Sequence, residues 1–222
     1  MPQRTKIEAL RIIMDCAIQY KANLEGMNVM FVTTKGNSEA ADFETLYMAH
    51  NFKHLTGITS SLNAELFYRA AVNQRLSERD ITLASDKATD MKLDILPTLM
   101  NIHTVARMVG DYDDTRPLLV ADKFAGTVAV AMGFLLVNGV YIPNTAMKKD
   151  VREITAKASR RRVVAILSKP RTESLYGQLT YIAKGMAVDG SMLSPVFREK
   201  VDIDNLTADF PIPRMPVEDG TQ

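Results

Sequence analysis

Hydrophobic residues recur every three or four positions in the first half of the chain, which is the spacing of a helix with one buried face. The segments with this spacing are Lys6 to Asn23, Leu62 to Gln74 and Asp90 to Val109. Pro97 removes a backbone donor within the last segment, so we expect a kink or two helices there. Between the first two helices, Val29 to Thr33 and Phe43 to Met48 predict a hairpin whose turn includes Gly36.

The second half of the chain is rich in valine, leucine and isoleucine, in runs separated by glycine, asparagine and proline. These runs predict strands over Leu118 to Ala121, Thr127 to Val137 and Arg162 to Leu167. The connections between them are mostly too short for crossover helices, which predicts antiparallel pairing. A short helix is expected over Ser174 to Lys184. Because helices come first and strands second, the pattern indicates an α+β fold.

The composition excludes several classes of protein. Of the 222 residues, 46% are hydrophobic and 24% are charged, as in an ordinary globular protein. The longest apolar run, Thr127 to Val137, is too short to cross a membrane, and the N-terminus lacks the apolar stretch of a secretory signal. Cys16 is the single cysteine and cannot form an internal disulfide, so we expect a cytoplasmic protein without a membrane anchor.

Basic residues are concentrated in one segment of the second half. Between Met147 and Arg171 the chain has nine lysines and arginines, which only Asp150 and Glu153 oppose. A local basic band in a nearly neutral chain is typical of a polyanion site. It is also typical of a solvated helix face, so charge alone leaves both interpretations open.

The sequence contains none of the common phosphate-loop, dinucleotide, zinc-protease, serine-hydrolase or redox motifs. His50 and His54 have the spacing of a metal-binding pair on a helix, but the residues between them supply no carboxylate, and Lys53 disfavours a cation. We therefore predict neither a metal site nor a cofactor. A hydrolase that depends on a metal, a serine triad or a cysteine nucleophile is unsupported.

What remains is a set of histidine, lysine and hydroxyl residues near predicted strand ends and turns: His54, Lys123, Thr145, Ser168 and Lys169. This set suits metal-free RNA cleavage, in which the 2′-hydroxyl attacks the adjacent phosphate. A histidine transfers protons at neutral pH, while lysines and hydroxyls stabilise the developing charge. Each of these residues also has a structural interpretation, as a hydrogen-bonded turn residue or an ordinary strand-end lysine.

Short strings of residues occur in a familiar order. They are Asn51-Phe52-Lys53-His54-Leu55-Thr56-Gly57, Met91-Lys92-Leu93-Asp94-Ile95-Leu96, Val109-Gly110-Asp111-Tyr112, Asp122-Lys123-Phe124-Ala125-Gly126, Pro143-Asn144-Thr145 and Ala165-Ile166-Leu167-Ser168-Lys169. Together they resemble a phage-associated family of the barnase–EndoU–colicin–RelE-like nuclease group, over roughly Val29 to Gly185. The resemblance implies N-terminal helices packed against a mainly antiparallel sheet of four to five strands. We therefore divide the chain into an N-terminal helix at 1–27, a nuclease domain at 28–190 and a C-terminal extension at 191–222, whose proline-rich end we expect to be mobile.

The resemblance further implies a metal-independent RNA endonuclease that acts as a toxin or effector of a phage or mobile element. His54 would be the general base or acid, and Lys123 would stabilise the phosphate. The candidate catalytic residues are His54, Lys123, Thr145 and Lys169, and the candidate substrate-binding residues are Asn144, Ser168, Lys148, Arg152, Arg171 and Tyr176. No second histidine or glutamate stands at a matching position to act as the opposite proton-transfer partner.

That missing partner supports an alternative function, a non-catalytic module that binds nucleic acid or protein as a regulator or anti-defence factor. A structural component of a phage particle is a third interpretation. The expected partners are RNA and an immunity or host protein, with no membrane partner, and the sequence does not indicate an oligomeric state. Cleavage of RNA, or binding that weakens with salt and yields no product, separates the first two functions.

Overall fold

The computed structural model describes residues 4–35, 38–85, 88–113, 120–187 and 190–213. Within these ranges the helices are α1 (Lys6–Asn23), α2 (Asn51–Thr56), α3 (Ala64–Val72), α4 (Ala88–Leu99), α5 (Ile102–Val105), α6 (Val151–Ile154) and α7 (Pro195–Arg198). The strands are β1 (Met27–Lys35), β2 (Ser38–Leu46), β3 (Thr59–Ser60), β4 (Ile81–Thr82), β5 (Met108–Asp111), β6 (Lys123–Gly126), β7 (Ala131–Val137), β8 (Val140–Met147), β9 (Arg161–Pro170) and β10 (Gln178–Ile182). The α+β class is confirmed.

Eight strands form one sheet in the order β1-β2-β8-β7-β6-β5-β9-β10. Strand β9 also pairs with β1, so seven of these strands form a closed ring and β10 lies outside it, against β9. All neighbouring strands of the ring are antiparallel except β2 and β8, which pair in parallel through Thr45 and Tyr141. The expectation of four to five strands is therefore wrong. Strands β5 and β6 have four residues each, which is too short for a hydrophobic run to reveal them.

Two strands lie where the sequence predicted helix. The helix expected over Asp90 to Val109 is divided into α4 and α5 after Leu99, and its last residues belong to β5. The helix expected over Ser174 to Lys184 is wrong, because this segment contains β10, which pairs with β9 through Leu179 and Tyr181. Pairing with a distant strand overrides the local preference in both places.

The other strand predictions have mixed outcomes. The hairpin of β1 and β2 is confirmed, while Gly36 in its turn lies outside the described residues. The strand over Arg162 to Leu167 is confirmed within β9. The strand expected over Thr127 to Val137 starts only at β7, because the Thr127 N–H donates to the Val130 carbonyl at 2.8 Å and closes a turn. Of the strand expected over Leu118 to Ala121, residues 118–119 lie outside the described residues, and the rest is not strand.

Helices α1 to α5 share one hydrophobic core with the strands of the ring. Tyr20 of α1 is fully buried, and its ring centroid lies 5.3 Å from that of Phe52 and 5.7 Å from that of Tyr68. On the sheet, Phe43 lies 5.3 Å from both Phe31 and Phe134. Large aromatic rings contribute strongly to core stability. This aromatic core holds the short helix α2 in place against the closed ring of strands.

The segment 190–213 packs against β1, β9 and β10 in a second core. Its residues Leu193, Val201 and Leu206 are buried, and Lys200 forms an ion pair with Glu44 of β2 at 3.1 Å. The end of the C-terminal extension that we expected to be mobile, residues 214–222, lies outside the described residues. None of the helices in the described ranges combines the length and apolar character needed to cross a membrane.

Candidate active site

A cleft of about 550 Å³ brings residues from four parts of the chain together. Helix α2 and the loop after it, helix α4, strand β8 and the segment before β6 each contribute to its wall. The lining residues are Lys53, His54, Gly57, Ile58, Lys92, Val120, Asn144 and Thr145. Three of the candidates from the sequence, His54, Asn144 and Thr145, therefore meet in one place.

His54 is exposed near the end of α2. The helix ends at Gly57, whose φ of +67° is the left-handed conformation that glycine adopts most readily. Within the described part of the chain, the imidazole has no hydrogen bond or ion pair. Partial burial, together with the charges of Lys53, His50 and Lys92, lowers the pKa of His54 below 6.5. A neutral imidazole is therefore favoured near pH 7, where it can accept a proton.

Two lysines give the cleft its positive charge. Lys53 donates from Nζ to the Leu62 carbonyl at 2.6 Å, whereas the Nζ of Lys92 lies 3.4 Å from the His54 carbonyl. Burial lowers the pKa of Lys92 below 10.5. Among the described residues that line the cleft there is no aspartate or glutamate. The cleft thus suits an anionic ligand.

Asn144 and Thr145 reach the cleft through an irregularity in β8. Gly133 of β7 pairs with Thr145, while the next residue, Phe134, pairs with Pro143, so Asn144 is the extra residue of a β-bulge. The side chain of Asn144 donates from Nδ2 to the Val120 carbonyl at 2.7 Å. A bulge changes the direction of side chains locally, and proline, which lacks an N–H, is tolerated there.

Gly133 allows the close approach of Thr145 to the neighbouring strand. A Cβ atom on Gly133 would lie 2.6 Å from the Thr145 Cγ2 and 2.7 Å from the Phe124 ring. The methyl group of Thr145 therefore packs over the glycine. Its hydroxyl makes no hydrogen bond to another described residue.

Lys123 lies at a second cavity of about 250 Å³ and not at the cleft of His54. It forms an ion pair with Asp111, and its Nζ lies 5.7 Å and 5.6 Å from the ring centroids of Phe43 and Tyr141. The second cavity is lined by Thr33, Asp42, Phe43, Val109, Asp111, Lys123, Tyr141, Ser159 and Arg161. Its two acidic and two basic residues distinguish it from the purely basic cleft.

Ser168 and Tyr176 are buried away from the cleft. The Ser168 hydroxyl donates to Gln178 Oε1 at 3.2 Å, and only 3% of the residue is exposed. The Tyr176 phenol donates to Glu44 Oε1 at 2.7 Å, and the residue is fully buried. The Ser168 hydroxyl thus links β9 to β10, and the Tyr176 phenol links the segment before β10 to β2. A substrate on the surface of this structure does not reach either hydroxyl.

Lys169 and Arg171 lie at the C-terminal end of β9. Lys169 donates to the Glu173 carbonyl, and its Nζ lies 5.4 Å from the ring centroid of Tyr176. Arg171 is exposed and lies 3.6 Å from the sulfur of Met48. Neither residue lines the cleft.

Three cations of the basic segment have different surroundings. Lys148 forms an ion pair with Asp94 of α4 at 2.7 Å, and Arg152 pairs with Asp150 at 2.5 Å. Arg161 lines the second cavity. The segment passes from β8 through α6 into β9.

Sequence reasoning missed Lys53 and Lys92 as members of the site. Both stand in strings that resemble the nuclease family, one beside His54 and the other in the second turn of α4. The strings gave no sign that Lys92 would approach a residue 38 positions earlier in the chain. Only the packing of α4 against α2 and β8 reveals the full set.

Comparison with known proteins places the chain in a family. No curated protein and no solved structure gives a significant match. Residues 12–185 match the model of the family described as phage-Barnase-EndoU-ColicinE5/D-RelE like nuclease 4. This range contains every described residue that lines the cleft and all eight strands of the sheet, and it ends before the segment 190–213. The chain therefore belongs to this family of nucleases.

Proposed function

We propose that the protein is an RNA endonuclease that needs no metal ion and cleaves through attack of the 2′-hydroxyl on the adjacent phosphate. The observation that carries this proposal is the composition of the cleft, where a histidine without a hydrogen-bond partner among the described residues meets two lysines and two hydrogen-bonding side chains. Membership in a nuclease family supports it independently. This mechanism requires RNA as the substrate, because DNA has no 2′-hydroxyl.

In this reaction His54 removes the proton of the 2′-hydroxyl. Its lowered pKa leaves the imidazole neutral and able to act as a general base. The phosphate gains negative charge as the new bond forms, and Lys53 and Lys92 offset this charge. The cleft thus supplies both a base and an electrostatic partner for the transition state.

Asn144 and Thr145 orient the phosphate. An asparagine amide has two N–H donors, and one of them is used on the Val120 carbonyl. The second remains for a phosphate oxygen, as does the Thr145 hydroxyl. Fixed donors of this kind lower the cost of aligning the attacking and leaving oxygens.

The donor set of the cleft favours metal-free chemistry. Magnesium and calcium bind carboxylate, carbonyl and water oxygens. The two lysines of the cleft repel a divalent cation, and the described lining residues include no carboxylate to compensate. The lysines instead supply the positive charge that a metal ion would bring to a phosphate.

We also propose that the cleavage serves as a toxin or effector activity of a phage or mobile element, with an immunity or host protein as the controlling partner. The support is the description of the family, which refers to phage and to colicins. The cytoplasm, where RNA substrates are abundant, is the compartment that this activity requires.

The decisive test is cleavage of total RNA and of a labelled transfer RNA in EDTA. The unsubstituted protein should release fragments with 2′,3′-cyclic phosphate ends, and His54→Ala should lower the rate by about 10²–10⁴-fold. His50→Ala is the matched control, because His50 is exposed at the start of the same helix and does not line the cleft. Equal rates for the unsubstituted protein and His54→Ala would exclude His54 from the reaction. Salt-sensitive RNA binding without product would favour a binding module instead.

A further inference from the structure

Cleavage by 2′-hydroxyl attack needs two proton transfers, and His54 accounts for one of them. The departing 5′-oxygen is a poor leaving group unless it receives a proton as its bond to phosphorus breaks. While His54 is accepting the proton of the 2′-hydroxyl, another group must supply this second proton. The titratable residues that line the cleft besides His54 are Lys53 and Lys92.

Lys53 is held by the backbone. Its Nζ donates to the Leu62 carbonyl at 2.6 Å and lies 3.5 Å from the Ser60 carbonyl. The ammonium also lies 5.9 Å from the ring centroid of Phe67. These contacts connect α2 to the start of α3 and fix Lys53 as a stationary positive charge.

Lys92 has its protons available. Its Nζ approaches the His54 carbonyl at 3.4 Å, which is longer than the usual 2.7–3.2 Å of an N–H···O bond. It forms no ion pair within the described residues. An ammonium has three N–H donors, so most of its capacity can serve a substrate. The same partial burial that lowers its pKa makes its proton easier to transfer.

The position of Lys92 is fixed by the end of α2. Its side chain crosses Gly57, where a Cβ atom would lie 2.7 Å from the lysine Cδ. The Thr89 hydroxyl, one turn earlier on α4, donates to the Gly57 carbonyl at 2.9 Å. The aliphatic part of Lys92 therefore packs against Gly57, and its ammonium group lies beside the His54 backbone.

We infer, on the basis of the proposed RNA cleavage, that Lys92 is the catalytic acid that protonates the departing 5′-oxygen. The 2′-oxygen forms a bond to phosphorus as its proton passes to His54. The bond from phosphorus to the 5′-oxygen breaks, and that oxygen takes a proton from the Lys92 ammonium. The products are a 2′,3′-cyclic phosphate and a free 5′-hydroxyl. His54 then loses a proton to water and Lys92 regains one, which restores the starting state.

Two substrates test this role. One is an ordinary RNA dinucleotide, and the other has sulfur in place of the bridging 5′-oxygen. A thiolate leaves without a proton, because thiols are far more acidic than alcohols. The proteins compared are the unsubstituted chain, Lys92→Met and Lys92→Arg, with Lys184→Met as the matched control at an exposed position outside the cleft.

We expect Lys92→Met to cleave the ordinary substrate about 10²–10⁴-fold more slowly and the sulfur substrate within about tenfold of the unsubstituted rate. Lys92→Arg keeps the charge and a long side chain across Gly57, but a guanidinium does not release its proton at neutral pH, so its rates should follow those of Lys92→Met. Lys184→Met should behave as the unsubstituted protein.

An equal loss on both substrates, or full activity of Lys92→Arg, would overturn the assignment of Lys92 while the RNA cleavage itself stands. If the unsubstituted protein cleaves neither substrate, the proposed function fails and the role of Lys92 fails with it. The thermal unfolding of Lys92→Arg shows whether its fold is intact, so a rate defect in a folded variant is attributable to the reaction.

Discussion

The side chain of Lys92 crosses the backbone of Gly57 so closely that a Cβ atom on the glycine would lie 2.7 Å from the lysine Cδ. Gly57 also ends helix α2, which carries His54, and its φ of +67° disfavours other residues. One glycine therefore sets the positions of both proposed proton-transfer groups. The relationship joins two elements that are far apart in sequence, α2 and α4.

Gly57→Ala should lower both stability and activity. The left-handed backbone costs about 1–2 kcal/mol for a residue with a Cβ, and displacement of Lys92 adds to the loss. Chemical denaturation should show a decrease of about 1–3 kcal/mol, and RNA cleavage should fall by more than tenfold in the folded variant. Gly139→Ala is the control, because Gly139 has a φ of +84° with nothing within 4 Å of the added Cβ. It should lose stability and keep its cleavage rate.

The pH dependence of cleavage should be bell-shaped. His54 must be neutral to accept a proton, so kcat/KM should rise with pH through a pKa below 6.5, because burial and the neighbouring cations lower it. Lys92 must be protonated to donate, so kcat/KM should fall at high pH through a pKa below 10.5. A profile that lacks the alkaline decline, or a Lys92→Met profile that retains it, would contradict the role of Lys92.

Lys123→Met should reduce cleavage by less than tenfold, although the sequence suggested that Lys123 is catalytic. Lys123 pairs with Asp111 at the second cavity and does not line the cleft of His54. Side-by-side rates for Lys123→Met and Lys92→Met on the same RNA provide the measurement. A loss of 10²-fold or more in Lys123→Met would return this lysine to the reaction and require the two cavities to act together.

Tyr176→Phe should destabilise the fold without slowing cleavage. The fully buried phenol donates to the Glu44 carboxylate at 2.7 Å, and hydrogen bonds to charged groups contribute about 1.5–3 kcal/mol. Glu44 retains Lys200 and Asn28 as partners in the variant. Denaturant midpoints measure the stability, and the cleavage rate below the transition measures the activity. A folded variant with a lower rate would indicate that Tyr176 takes part in substrate binding.

Local patterns in the sequence predicted those helices and strands that are determined by residues close together in the chain. Periodicity revealed α1 and α3, and the hydrophobic runs revealed β1 and most of β9. The pairing of β10 with β9 had no such signal, because the alternating pattern of five residues competes with a helical interpretation. The closure of the ring by β1 and β9 joins residues as far apart in the chain as Met27 and Pro170, and no local pattern encodes it.

The residues of the candidate site also divide into those that local sequence patterns suggest and those that only tertiary packing brings to the cleft. His54, Asn144 and Thr145 stand out as polar residues at helix ends and turns, so the sequence could suggest them. Lys92 lies within a predicted helix, between Met91 and Leu93, and its proximity to His54 depends on tertiary packing. The sequence suggested Ser168, at the end of a predicted strand, and Tyr176, within a predicted helix, as substrate-binding residues. Their burial results from Gln178 and from the segment 190–213, which the sequence did not place.

The closed ring of strands affects how copies of this protein can meet. An open sheet presents unpaired amides along its outer strands, and these can recruit strands from other molecules. Here each strand of the ring has a neighbour on both sides, and the segment that follows β9 is bridged where Tyr176 meets Val201 and Gln178 meets Thr207. Closure of the ring therefore leaves the described sheet with fewer unpaired strand edges than an open sheet of eight strands would have. Concentrated solutions should stay dispersed under conditions in which an open sheet of similar length would aggregate.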